Sequence, residues 1–145
     1  MIHEPCVLLD RLLREPGENA WLEFKVNNAD LREIGEYVSA LANAAMLAGR
    51  DQAFLVFGIE NKTKRRVGTT VRLSELKQGN ENLANWLSRL LEPRLVLDMA
   101  DFECDGLPFA IIGIDPAYER PVRLYPHAEG RLAGRPFGVQ LFTLV

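Results

Sequence analysis

The stretch ENAWLEFK, residues 18–25, decides how the rest of this chain is interpreted. Its first half is typical of a loop and its second half of a β-strand, in which side chains alternate between two faces. Leu22 and Phe24 then form an apolar face for the core of the protein. Glu23 and Lys25 fall together on the other face, so the strand carries a carboxylate and an ammonium group on the same side.

Glu18 adds a second carboxylate in front of this strand. Because Glu18 lies in a loop, it can fold back towards Glu23, and two acids would then meet at one point. The alternative is a surface strand whose Glu23 and Lys25 are simply solvated, which is the ordinary state of charged residues on an exposed sheet face. The residues alone leave both interpretations open.

The composition is typical of a soluble globular protein. A chain of 145 residues with 48% hydrophobic and 26% charged residues suits one domain, over residues 1–145, with a buried core. No apolar run approaches the roughly 20 residues that span a bilayer, and the N-terminus lacks the pattern of a signal peptide. We therefore expect a cytoplasmic protein with no membrane partner. The net charge of −3 excludes a generally basic surface but not a local basic patch.

The two cysteines, Cys6 and Cys104, lie far apart in the sequence and form no CxxC motif. In a reducing compartment, such cysteines are ordinarily unpaired. The pattern predicts two free thiols and no metal site at either cysteine.

Apolar periodicity predicts the order of the elements. Helical spacing of apolar residues occurs in three stretches. The first is residues 4–15, the second begins after the N-cap candidate Asp30, and the third is residues 81–92. After the opening stretch, strand patterns form two predicted hairpins, one of residues 53–60 and 67–70 and one of residues 94–104 and 107–115. A last strand pattern occurs at residues 139–145. The order is helix, strand, helix, hairpin, helix, hairpin and final strand, so we predict an α+β fold with a mixed α/β sheet. The apolar end suits an edge strand, or the N-terminal piece of a longer protein.

The segment NKTKRR, residues 61–66, is the most basic part of the chain, with a cation at four of its last five positions. Such a turn can contact phosphate groups. It can equally be the solvated tip of a hairpin, which is the commoner role of a run of charges.

Four short motifs occur in an order that resembles the Schlafen AlbA-like domain, also called the divergent AlbA domain. They are LEFK at 22–25 preceded by Glu18, ALAN at 40–43, FGIE at 57–60 and VG at 67–68. The resemblance covers about residues 14–125. Two family features differ: a longer segment replaces the glycine-rich one after ALAN, and the family's late Y-x-R-x-G-S segment is not recognisable in residues 127–145.

The resemblance implies a nucleic-acid partner, either DNA or RNA. In bacteria, the family's domain often opens longer transcriptional regulators. In animal Schlafen proteins, an equivalent domain cleaves structured RNA with three acids. Carried over to this chain, the first two acids are Glu18 and Glu23, and the third falls at Glu60 or at the neighbouring Asn61. An asparagine at the third position would leave a nuclease one carboxylate short.

Three functions follow as hypotheses, and we expect the first. It is a non-catalytic nucleic-acid-binding domain, part of a transcriptional regulator, that needs no cofactor and contacts phosphates by salt-dependent pairing. The candidate contacts are Lys25, Lys62, Lys64, Arg65 and Arg66.

The second hypothesis is an endoribonuclease that depends on Mg²⁺ or Mn²⁺, because these ions prefer carboxylate ligands beside a phosphodiester. Its catalytic residues and metal ligands would be Glu18, Glu23 and Glu60. The third hypothesis is a non-catalytic assembly domain, for which a homodimer is the simplest form.

Overall fold

A mixed four-stranded sheet with the order β1-β2-β7-β6 forms the centre of the protein. The structure is a computed structural model, and it describes residues 2–16, 19–92, 95–117 and 123–124. Strand β1 pairs with β2 in parallel, and the other two pairs are antiparallel. The predicted α+β fold with a mixed sheet is therefore confirmed.

The described elements follow the predicted order as far as the second hairpin, except that residues 67–70 form no strand, and several short strands are added. The helices are α1 (Pro5–Leu13), α2 (Leu31–Ala48) and α3 (Leu83–Leu90), with a 3₁₀ turn at Leu73–Glu75. The strands are β1 (Leu22–Lys25), β2 (Ala53–Phe57), β3 (Lys77–Gln78), β4 (Glu81–Asn82), β5 (Leu91–Glu92), β6 (Leu97–Cys104), β7 (Leu107–Ile114) and β8 (Arg123–Leu124). Within the described ranges, no helix combines the length and the apolar character that crossing a bilayer requires.

Helix α2 begins after the predicted N-cap residue Asp30 and ends at a glycine. The side chain of Asp30 accepts hydrogen bonds from the backbone N–H groups of Arg32 and Glu33, which would otherwise lack partners in the first turn. Gly49 ends the helix in the left-handed conformation at φ 67°. The residues that α2 buries share helical spacing and include Ile34, Val38, Leu41, Ala42 and Ala45.

The helices cover the two faces of the sheet. Lys25 of β1 lies over the ring of Tyr37 in α2, with its ammonium 4.6 Å from the ring centroid. Helix α1 covers the opposite face, where Cys104 of β6 is bonded to Cys6. We call these the α2 face and the α1 face. Because side chains alternate along a strand, Glu23 and Lys25 share the α2 face, whereas Leu22 and Phe24 are buried towards α1.

The predicted hairpin of residues 53–60 and 67–70 is reduced to one antiparallel bridge between Ile59 and Arg66. The cause is Gly58, which adopts φ 113° and breaks the strand after Phe57. A side chain at Gly58 would also meet Phe109, since a Cβ built there lies 2.5 Å from the Phe109 ring. The predicted final strand at 139–145 lies outside the described residues.

The prediction of two free thiols is wrong, because Cys6 and Cys104 form a disulfide with their Cα atoms 5.8 Å apart. Distance along the sequence does not reveal that α1 lies across the sheet and reaches the end of β6. The helix is also held by Leu9 and Leu12, which are almost completely buried. The disulfide therefore adds a covalent tie to a helix that already packs on the core.

We expect reduction of this disulfide to lower the stability of the protein. A bond that closes a loop of 98 residues removes conformational freedom from the unfolded chain, and such bonds typically contribute about 2–4 kcal/mol. Thermal unfolding with and without a dithiol reductant measures the change. A Cys6→Ser/Cys104→Ser variant serves as the control, because its melting temperature should match that of the reduced protein and should not respond to the reductant.

Candidate functional site

A cleft of about 560 Å³ lies beside the outer edge of β1. One wall is the edge strand itself, with the preceding loop, and the other wall is the segment that follows β2. Its lining residues are Asn19, Leu22, Glu23, Phe24, Asn61, Lys62 and Lys64. The parallel pairing of β1 with β2 explains this meeting, because the carboxyl ends of parallel strands lie at the same edge of a sheet.

Residues 60–66, which we call the basic turn, are closed by their own backbone. The N–H of Lys64 donates to the carbonyl of Glu60 over 2.8 Å, and the N–H of Glu60 donates to the carbonyl of Arg65 over 3.0 Å. Lys64 itself adopts the left-handed conformation at φ 59°. The N–H of Gly58 donates to the carbonyl of Lys25 and fixes the start of the turn to the end of β1. The turn is therefore a defined structure beside β1.

Two of the four predicted cations of the basic turn hold α1 in place. The ammonium of Lys64 donates to the carbonyl of Glu15 over 2.8 Å, and the guanidinium of Arg66 pairs with the carboxylate of Asp10. Both side chains are half-buried. Lys62 is exposed, and so is Arg65, whose guanidinium is 3.9 Å from the carboxylate of Glu60. Lys62 and Arg65 are thus the cations of the turn that solvent reaches most freely.

Lys25 lies outside the lining of the cleft, on the α2 face. Its ammonium is 3.5 Å from the carboxylate of Glu23, and it also contacts Tyr37 of α2. A hydrogen bond with the Tyr37 side chain, assisted by the charge of Glu23, raises the pKa of Lys25 above its ordinary value despite partial burial. The predicted Glu23 and Lys25 pair on one side of the strand is present as an ion pair.

The three acids proposed for a nuclease are placed differently. Glu23 lines the cleft, whereas Glu60 accepts a hydrogen bond from the hydroxyl of Thr63 over 2.6 Å inside its own turn and does not line it. Asn61 lines the cleft in its stead. Glu18 lies outside the described residues. In the part of the chain that the structure describes, no three His, Cys, Asp or Glu side chains form a group that could hold a metal ion.

The described residues therefore supply the cleft with one carboxylate beside two ammonium groups and two side-chain amides. This set does not fit a site that holds Mg²⁺ or Mn²⁺ through several carboxylates. It suits an anion, because Lys62, Lys64, Asn19 and Asn61 can all donate hydrogen bonds.

Asn19 is a lining residue that the sequence patterns did not single out, although it lies in the opening stretch. Asn27 was also missed, and it joins β1 to the segment after the basic turn. Its side-chain oxygen accepts hydrogen bonds from the N–H of Thr70 over 2.9 Å and from the hydroxyl of Thr70 over 3.2 Å. An asparagine directly after a strand is a turn signal, but its long-range partners cannot be read from the sequence.

Comparisons with known proteins agree with this fold. The family model of the Schlafen AlbA_2 domain matches residues 18–136, which confirms the resemblance in the motifs. A solved structure with a similar fold is the N-terminal domain of a protein from Nitrosomonas europaea described as ATP-dependent DNA helicase RecG-related. It is 23% identical with a TM-score of 0.54, and the match covers 80% of this chain and 75% of that one. At this identity, the likeness shows the fold alone.

A second solved structure, the DIP2311 protein from Corynebacterium diphtheriae, is 16% identical with a TM-score of 0.47. That match covers 82% of this chain but only 23% of the other chain. No curated protein sequence matches this chain.

The raised pKa of Lys25 predicts how stability changes at high pH. A lysine whose pKa is higher in the folded than in the unfolded state stabilises the fold below its unfolded pKa, and this contribution disappears as pH rises through the folded pKa. We expect Lys25→Met to lower stability slightly at neutral pH and to flatten the decline above about pH 10.5. Urea unfolding of both proteins between neutral pH and pH 12 measures this, and parallel curves would contradict it.

We also expect Gly58→Ala to destabilise the protein by about 2 kcal/mol or more, through the strained φ and the clash with Phe109. Gly79→Ala is the control, since Gly79 also has a positive φ, of 65°, but no atom lies within 4 Å of the new Cβ. Chemical unfolding of the two variants should rank Gly58→Ala as clearly the less stable.

Proposed function

The chain belongs to the Schlafen AlbA_2 family, and from this premise we propose that it binds nucleic acid in the cleft between β1 and the basic turn. The observation that carries the proposal is the set of hydrogen-bond donors that line this cleft. Its ammonium and amide groups match the acceptor oxygens of a phosphodiester backbone.

The backbone of β1 adds further donors. The carbonyls of Trp21 and Lys25 accept hydrogen bonds from Phe54 of β2 and from Gly58 directly after it, so the odd-numbered residues of β1 direct their backbone groups inwards. The N–H groups of Leu22 and Phe24 therefore point away from the sheet, towards the cleft. Neutral donors of this kind complement Lys62 and Lys64 in binding an anion, because they add hydrogen bonds without adding charge.

The charge distribution supports local rather than general binding. The whole chain carries a net charge of −3, and the basic turn concentrates four cations in one place. We assign direct phosphate contacts to the exposed Lys62 and Arg65. Lys64 contributes from the wall of the cleft while it holds α1, and Arg66 supports the turn through Asp10.

We propose binding without cleavage, because Asn61 rather than Glu60 lies in the cleft with Glu23. Lys25 is assigned a supporting role, since it is committed to Glu23 and Tyr37 on the α2 face. The family resemblance extends the proposal one step further. The domain would bind nucleic acid as one part of a longer transcriptional regulator. Its contacts with the phosphodiester backbone would give little sequence preference.

The test replaces Lys62 and Arg65 together with alanine. We expect weaker binding to labelled duplex DNA and to structured RNA. On duplex DNA, the slope of log affinity against log salt should also become flatter, by about 0.9 for each phosphate that the variant no longer neutralises. Fluorescence anisotropy over a series of salt concentrations measures both quantities. Lys77→Ala, in the exposed strand β3, is the control that changes charge elsewhere.

An unchanged salt slope in the double variant would contradict the assignment of these two contacts. The same samples, incubated with Mn²⁺ and analysed on a denaturing gel, should show intact nucleic acid. Cleavage that Glu23→Gln abolishes would replace the binding proposal with the nuclease.

A further inference from the structure

The outer edge of β1 is an open sheet edge that carries alternating charges. Strand β1 is the terminal strand of the four-stranded sheet, and within the described ranges no other strand pairs with its outer side. The cleft lies along this side, so the basic turn does not fill it. Unpaired backbone groups on such an edge are a template for another strand.

The backbone orientation restricts how a second copy of β1 can add to this edge. Leu22 and Phe24 direct their N–H and carbonyl groups outwards, because the carbonyls of Trp21 and Lys25 accept hydrogen bonds from Phe54 and Gly58 on the inner side. Val26 lies in the bend after β1, where its carbonyl accepts a hydrogen bond from the hydroxyl of Thr69. In an antiparallel ladder, outward-pointing residues must lie opposite outward-pointing residues. Only registers that place even-numbered residues opposite each other can therefore form hydrogen bonds.

Three such registers use the centre of the strand, and charge distinguishes them. With Leu22 opposite Phe24 of the other copy, Glu23 faces its own counterpart. With Phe24 opposite Val26, Lys25 faces its own counterpart. With Phe24 opposite Phe24, each Glu23 faces the Lys25 of the other copy. Like charges directly across a ladder repel and opposite charges attract, so the third register is selected.

We propose that β1 forms a two-fold homodimer in this register, with Phe24 at the symmetry axis. Glu23 and Lys25 of one copy pair with Lys25 and Glu23 of the other, on the α2 face. Both side chains are about 30% exposed and already lie 3.5 Å apart, so they reach solvent at the edge where the second copy adds. The interface is isologous, as a two-fold axis requires.

The interface is small, and this sets the expected affinity. A strand of four residues buries less surface than a stable dimer needs, so the dissociation constant should be in the range of roughly 10 μM to 1 mM. The dimer also occupies the edge that borders the cleft. Dimerisation and nucleic-acid binding there should therefore compete, although the dimer itself does not depend on the proposed function.

Sedimentation velocity from low to high micromolar concentration tests the proposal. The average mass should rise from 16.3 kDa towards twice that value. Glu23→Lys places lysine opposite lysine, and Lys25→Glu places glutamate opposite glutamate, so each variant alone should remain monomeric. An equimolar mixture of the two should form a heterodimer, because every cross-strand pair is then opposite in charge.

Two further proteins serve as controls. The Glu23→Lys/Lys25→Glu variant keeps complementary charges and should dimerise like the original chain. Glu36→Lys makes the same charge change on the exposed side of α2, where Glu36 pairs with Arg32, and should leave the dimer unaffected. Circular dichroism verifies that each variant is folded.

Amide hydrogen exchange locates the contact. The N–H groups of Leu22 and Phe24 should become protected as the concentration rises. Protection that is independent of concentration would mean that the chain's own segment 139–145 pairs with β1, and it would overturn the proposal. A monomer at all concentrations, or a dimer that both single variants retain, would overturn it as well.

Discussion

The parallel pairing of β1 with β2 is the constraint on which the rest of the structure depends. It places the end of β1 beside the end of β2, and Gly58 then directs the chain into the basic turn. An antiparallel pairing would have sent the basic turn to the other end of β1. The cleft, its cations and the carboxylate of Glu23 all follow from this single arrangement, because each lies within a few residues of the paired strand ends.

Much of the fold could be predicted from the sequence because it depends on local patterns. Asp30 caps α2 as its residue type predicts, and the residues that α2 buries share helical spacing. The disulfide could not be predicted, because it depends on how α1 crosses the sheet. The predicted hairpin after β2 is shorter because Gly58 leaves the strand conformation, and periodicity in apolar residues carries no signal for such a break.

The sequence singles out Glu23 and the basic turn, but it does not single out Asn19 or show which cations line the cleft. The sequence indicates that the turn is basic, but not that Lys64 and Arg66 face α1 while Lys62 faces solvent. That difference arises from contacts with Glu15 and Asp10, which are about fifty residues away. The sequence also does not show whether Glu60 or Asn61 lines the cleft. That depends on the backbone of the turn, because the side chains of neighbouring residues in a tight turn point in different directions. Proposals about binding and about self-association now concern the same strand edge, and each assigns Glu23 a different partner.

The charges of β1 have a consequence for misassembly. Fibrils of the cross-β type with parallel strands stack identical segments in register, so that each residue lies above its own copy in the next chain. On this edge, such stacking would build an unbroken column of Glu23 carboxylates beside a column of Lys25 ammonium groups. In the antiparallel dimer, each of these charges lies opposite a charge of the other sign. In a parallel stack, each added chain places like charges next to each other and adds repulsion. Two charged residues thus act as gatekeepers that protect an otherwise apolar edge strand from aggregation.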